Sequence, residues 1–126
     1  MPSVLQTLRK RLLAIEDVLP GGAVFGGREG FWIDGTLVAE LMDGERIQLR
    51  LTRPLIRELR EMLDADARVS RRKTSDWITV RFARASDAAM IGELLARAAP
   101  LYRPDPGVIP RPPPTGADLE RRRRWH

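Results

Sequence analysis

Phe31-Trp32-Ile33-Asp34-Gly35-Thr36-Leu37-Val38-Ala39-Glu40-Leu41-Met42-Asp43-Gly44-Glu45-Arg46-Ile47-Gln48-Leu49-Arg50-Leu51 is the stretch that decides the fold. Two Asp-Gly pairs, at Asp34-Gly35 and Asp43-Gly44, cut it into short apolar-rich segments. Each pair tolerates the positive φ angles of a two-residue hairpin turn. Three strands are therefore expected, near residues 23–33, 36–42 and 45–51. The third alternates cleanly, with Ile47, Leu49 and Leu51 against Arg46, Gln48 and Arg50. That alternation marks one buried and one wet face, and hairpin connections force antiparallel pairing. Gly26-Gly27 predicts a bulge or break in the first segment.

Upstream, Val4, Leu5, Leu8, Leu12, Ile15 and Leu19 recur at spacings of three and four. That period predicts a helix over residues 4–19. Ser3 and Gln6 fit a capping box, and Pro20-Gly21-Gly22 reads as the helix stop. Downstream, Thr52 and Pro54 open a second helix, with Leu55, Ile56, Leu59, Met62 and Leu63 as its stripe. Residues 67–71 and 76–83 read as a second strand pair joined by Arg72-Lys73-Thr74-Ser75. In the longer strand Ile78, Val80 and Phe82 share one face, and Trp77, Thr79 and Arg81 the other. Ser86 or Asp87 then caps a third helix, striped by Met90, Ile91, Leu94, Leu95 and Ala98, which Pro100 ends. The order α-β-β-β-α-β-β-α predicts an α+β fold: an antiparallel sheet of about five strands with three helices packed on one face.

From Arg103 the composition changes. Six of the ten prolines fall at 104, 106, 110, 112, 113 and 114, so the expected division is an α+β domain over residues 1–102 and a Pro/Arg-rich tail over 103–126. Such a segment favours polyproline II and builds no core of its own. The tail holds six basic and three acidic residues, and the first 102 residues hold 16 and 14. Most of the formal charge of +5 thus belongs to the tail. Twenty of the 22 basic residues are Arg, a skew that genome composition explains as readily as nucleic-acid binding does. No run reaches the roughly 18 apolar residues of a membrane span, and no secretory signal pattern opens the chain. The expected compartment is the cytoplasm.

Catalytic chemistry finds little support. There is no Cys, and the only His is His126, at the chain end. A disulfide framework, a Cys-ligated zinc site and a Cys nucleophile are excluded. A hydroxyl nucleophile would lack a histidine base. The acidic residues follow no calcium-loop spacing, so no metal and no cofactor is expected. The glycines at 21, 22, 26, 27 and 30 precede strands rather than a helix, unlike a phosphate-cradling loop. Glu40 is the most interesting acid. Either it joins a surface ladder with Arg46, Arg50 and Arg81, which contributes little, or it is buried and functional.

Two binding surfaces stand out. The sheet face without helices should present Arg46, Arg50, Trp77 and Arg81 beside the basic turn of Arg71, Arg72 and Lys73. Trp among arginines can stack a base or a peptide aromatic while the arginines engage phosphate or carboxylate. The second surface is the run Arg121, Arg122, Arg123 and Arg124 beside Trp125, suited to an anionic partner.

Several segments resemble a known family. Phe25-Gly26-Gly27-Arg28, the strand around Asp34-Gly35, the junction Leu49-Arg50-Leu51-Thr52-Arg53-Pro54 and the entry Ser75-Asp76-Trp77 resemble the small bacterial luciferase-like domain of unknown function. The fungal bioluminescence luciferase belongs to the same family, and the likeness spans about residues 5–102. Members nearer the fungal enzyme carry a His-x-His pair on the strand that here holds Ala39, Glu40, Leu41 and Met42. They also carry a His-Pro where residues 68–72 stand here. The resemblance therefore does not bring a His-dependent oxygenase chemistry with it. The leading expectation is a non-catalytic binding module acting through the Arg/Trp face and the tail on an anionic protein surface or nucleic acid. The alternative is a small-molecule enzyme or sensor of that family, with a pocket between sheet and helices near Gly26, Phe31, Glu40 and Trp77.

Overall fold

The computed structural model describes residues 3–125; Met1, Pro2 and His126 lie outside the described residues. The fold is α+β, with one open antiparallel sheet of six strands and five α-helices among the described residues. Helix α1 is Val4–Leu13, and β1 is Leu19–Gly21. Three strands follow, β2 (Glu29–Ile33), β3 (Thr36–Leu41) and β4 (Arg46–Arg50), and then helices α2 (Arg53–Glu58) and α3 (Arg60–Ala65). The second strand pair is β5 (Val69–Arg71) and β6 (Trp77–Arg81), followed by α4 (Ala85–Ala98) and α5 (Ala117–Arg124). In space the strands run β1-β2-β3-β4-β6-β5.

The sixth strand comes from the segment expected to end the first helix. The Ser3–Gln6 capping box is present, but α1 stops at Leu13, and Asp17 turns the chain in the left-handed region at φ 71°. Leu19 then faces solvent, and Pro20 sits on the edge strand β1 opposite Phe31. A residue without an amide hydrogen is tolerated at a sheet edge. The expected second helix is two short ones, bent at Leu59 (φ −96°, ψ 7°). Leu55, Ile56, Leu59 and Leu63 stay buried across the bend, whereas Met62 is exposed. For α4 the cap is Asp87, acting from inside the first turn: its carboxylate accepts from the Ala83 and Arg84 amides at 2.8 and 2.9 Å. Ser86 is exposed.

The two Asp-Gly turns differ. Asp34 and Gly35 both take positive φ, as the hairpin reading requires. At the second, the Asp43 carboxylate accepts from the Glu45 and Arg46 amides, at 2.8 and 2.9 Å, and Gly44 stays out of the left-handed region. The first segment does break at Gly26-Gly27, since β2 begins only at Glu29, and a bulge lies further on, within the first hairpin, where the register shifts between Phe31 and Trp32. It puts Val38 and Ala39 both into the main core.

Helices α1 to α4 cover one face of the sheet. There Phe31, Ile33, Leu41, Ile47, Leu49, Ile78 and Val80 meet Leu8, Leu12, Ile91 and Leu95, all buried. Tyr102 ties the chain after α4 to the sheet by donating its hydroxyl to the Arg50 carbonyl at 2.8 Å. The opposite face, here the outer face, is not bare. A second cluster of Val24, Trp32 and Leu37, with Leu119 and Trp77 against it, lies over its β1–β3 half. Leu119 belongs to α5, so one helix of the tail packs on the face opposite the other four. No helix among the described residues is long and apolar enough to cross a membrane.

Candidate binding groove

Glu40 sits in β3 among apolar neighbours, and alternation turns it to the outer face, opposite Gly30 and Gln48. It is fully buried all the same. Residues 23–28, expected as the start of a strand, instead cross that face as a loop and wrap the carboxylate. Oε1 accepts from the Val24 amide at 2.5 Å and the Phe25 amide at 2.9 Å; Oε2 accepts from Gly27 at 3.2 Å. The glycine cluster therefore does cradle an anion, but the anion is the protein's own. Three converging amides are what a buried carboxylate needs in place of water. Gly27 is required by proximity: a Cβ there would lie 2.6 Å from the Leu41 carbonyl and 2.9 Å from the Glu40 side chain. Gly26 is required by its φ of +87°. Neither the surface ion-pair ladder nor a pocket under the helices describes Glu40.

The loop delivers Phe25 to the edge of Trp77, ring centroids 5.6 Å apart and planes at 80°. Arg50 lies 6.0 Å from the Trp77 ring centre and pairs with Asp76 at 2.8 Å. Beside these rings the outer face of β4, β6 and β5 presents Gln48, Thr79 and Ser70 in one register row. Phe25, Trp77, this row and Arg72 line an open groove of about 470 Å³.

No family model, no curated protein and no solved structure matches this chain. The luciferase-like resemblance thus rests on its motif residues alone, and the groove is read from its own chemistry.

The expected site residues divide into three groups. Arg72 and Trp77 line the groove, whereas Arg50, beside Trp77, lines a separate hollow with Trp32, Leu37 and Arg122. Arg46 and Arg81 share the outer face opposite each other, but Arg46 is bound by Asp43 and Arg81 reaches the Ala67 carbonyl at 3.2 Å. Arg71 pairs with Ile78 across the strands and so turns its side chain to the helix side, where Asp64 holds it at 2.9 Å. That interaction keeps the Asp64 carboxyl below its ordinary range. Arg68 is likewise consumed, by Asp66 and Asp87. Of the basic turn, Arg72 and Lys73 make no ion pair among the described residues.

The tail arginines are largely occupied by the protein itself. Arg122 stacks 5.3 Å over the Trp32 ring, Arg123 donates to the Ala23 carbonyl at 3.1 Å, and Arg121 pairs with Asp118. Arg124 and Trp125 are exposed. The four residues of the alternative pocket do not share a cavity. Phe31 is buried on the helix side, whereas Gly26, Glu40 and Trp77 belong to the loop and the outer face.

Sequence reasoning passed over Phe25, which forms one wall of the groove, and Arg53, Arg57 and Arg60 on the helix side. The first had a weak signal, an aromatic next to two glycines.

Proposed function

We propose that the protein is a binding module for an anionic partner, with the groove on the outer face of β4, β6 and β5 as its binding surface. The carrying observation is the pairing of two aromatic rings, Phe25 on the Glu40-anchored loop and Trp77 on β6, with a row of hydrogen-bonding side chains and with Arg72, which makes no ion pair among the described residues. Aromatic rings offer stacking and an unpaired guanidinium offers a planar, bidentate grip on phosphate or carboxylate. Nothing about the groove calls for a reaction: its side chains bind, orient and donate. The tail contributes by holding the β1–β3 half of the face closed, which leaves this half as the open surface.

Charge reversal at Arg72 tests the reading. Immobilised heparin, a dense polyanion, should release Arg72→Glu at clearly lower salt than the parent chain. Arg11→Glu makes the same change on the helix side of α1 and should shift elution less. Equal elution of the parent chain and Arg72→Glu contradicts the proposal.

A further inference from the structure

The helix side carries a second concavity that the groove does not explain. Arg53, Arg57 and Arg60 from α2 and α3 line an open cleft of about 460 Å³ together with Lys73, and the only acid among its described lining residues is Asp64. Asp64 is already taken by Arg71. None of the four remaining cations makes an ion pair among the described residues, and Arg53, Arg57, Arg60 and Lys73 are all exposed. Arg53 and Arg57 stand one turn apart on α2, and Arg60 follows on α3 just past the bend at Leu59, so three like charges are gathered at one cleft, which costs stability rather than adds to it. Arg60 helps Arg71 hold the Asp64 carboxyl low, but Arg53, Arg57 and Lys73 make no ion pair among the described residues. The cleft and the groove share two lining residues, Arg71 and Ser75, so they border one another at the β5–β6 turn.

We infer that the anionic partner is a single-stranded nucleic acid whose phosphates occupy the Arg53/Arg57/Arg60/Lys73 cleft while one or two bases reach around the β5–β6 turn to Trp77 and Phe25. This rests on the binding-module reading and names its ligand. A purely acidic peptide such as polyglutamate would use the cations but leave the rings idle. A strand of nucleic acid uses both, since phosphates meet arginine forks and every base has a face to stack. Gln48, Thr79 and Ser70 then offer hydrogen bonds to base edges. A duplex keeps its bases stacked inside and cannot present them to the groove.

The test is anisotropy of a fluorescein-labelled ten-residue oligothymidylate titrated with the full chain at several salt concentrations. The double variant Arg57→Gln/Arg60→Gln changes exposed side chains and should keep the parent circular dichroism spectrum. Its affinity should fall about tenfold or more, and its log K against log salt slope should flatten by about 0.7 for each phosphate no longer neutralised. A blunt duplex of equal length and a polyglutamate peptide should bind more weakly than the oligothymidylate. Unchanged affinity and slope in the double variant, or equal binding of duplex or polyglutamate, overturns the inference. If Arg72→Glu weakens the oligothymidylate while the double variant does not, the groove reading survives and the cleft assignment fails. If the parent chain binds none of the three probes, both fall.

Discussion

Removing the Glu40 carboxylate should undo the loop that builds the groove. Glu40 is fully buried and receives the Val24, Phe25 and Gly27 amides. A hydrogen bond to a charged group contributes about 1.5–3 kcal/mol net, and a buried donor left unmade costs about 1–3 kcal/mol. Three donors left without an acceptor in Glu40→Ala give an upper figure near 9 kcal/mol by that scale. The loop is at the surface, however, and can open to let water reach the amides. The expected loss is therefore about 3–5 kcal/mol, the range for breaking a buried polar network. Glu40→Gln keeps one acceptor oxygen but turns an amide nitrogen toward donors, and should lose about 1–3 kcal/mol. Urea unfolding gives the stability, and amide hydrogen exchange gives the site. Protection at Val24, Phe25 and Gly27 should fall in both variants, while Ile47 and Val80 in the main core keep theirs in Glu40→Gln. A Glu40→Ala chain within about 0.5 kcal/mol of the parent, with those three amides still protected, refutes the reasoning, because that is the ordinary range for surface substitutions.

Two further outcomes follow from the packing. Leu119→Glu puts a charge into the cluster of Val24, Trp32 and Leu37, and should release α5. Trp32 fluorescence should shift to the red and the chain between residues 103 and 116 should become protease-sensitive, with a stability loss below about 3 kcal/mol because the main core is untouched. Acid should weaken the start of α4. The Arg68 guanidinium and the Ala83 amide hold the Asp87 carboxyl down to about 2, against an ordinary value of about 3.9. A carboxylate depressed in the folded state contributes fully above its unfolded value, and that contribution is lost as pH falls through the folded one. Stability should thus drop between about pH 4 and pH 2. In Asp87→Asn the drop should be shallower but not absent, since Arg68 and Arg71 also hold Asp66 and Asp64 low.

Much of the fold could be read from local pattern. The alternation of Ile47, Leu49 and Leu51, the Asp34-Gly35 turn and the stripe of α4 are decided by neighbours in sequence, and they stand where expected. The misreadings share a cause. Leu19 continues the helical period of Val4 to Ile15, so periodicity alone assigns it to α1. The left-handed turn at Asp17 and pairing with Trp32 make it a strand instead. Residues 23–28 read as the start of a strand but form a loop, because their partner is not a strand but one distant side chain, Glu40. The tail has no periodic signal, and Leu119 is ordered by Trp32 and Leu37, some eighty residues earlier. For the site, Trp77 and Arg72 were legible as an aromatic and a cation on one exposed pattern. The pairing of Arg71 with Asp64 was not, because it depends on which face of β5 meets α3. The cleft was illegible for the same reason: Arg53, Arg57 and Arg60 read as an ordinary solvated helix face until α2 and α3 are set beside the β5–β6 turn.

The most direct test of the groove is its own indole. Among the three tryptophans, Trp32 is buried with its Nε1 donating to the Gly22 carbonyl at 3.0 Å, Trp125 is exposed at the end of α5, and Trp77 lines the groove. Titrating the 15N-labelled chain with oligothymidylate should move the Trp77 indole signal and the amides of Gln48, Thr79 and Phe25, leaving the Trp32 indole in place. Saturable binding that moves the Trp125 indole and the α5 amides, with Trp77 and its neighbours unmoved, contradicts the account.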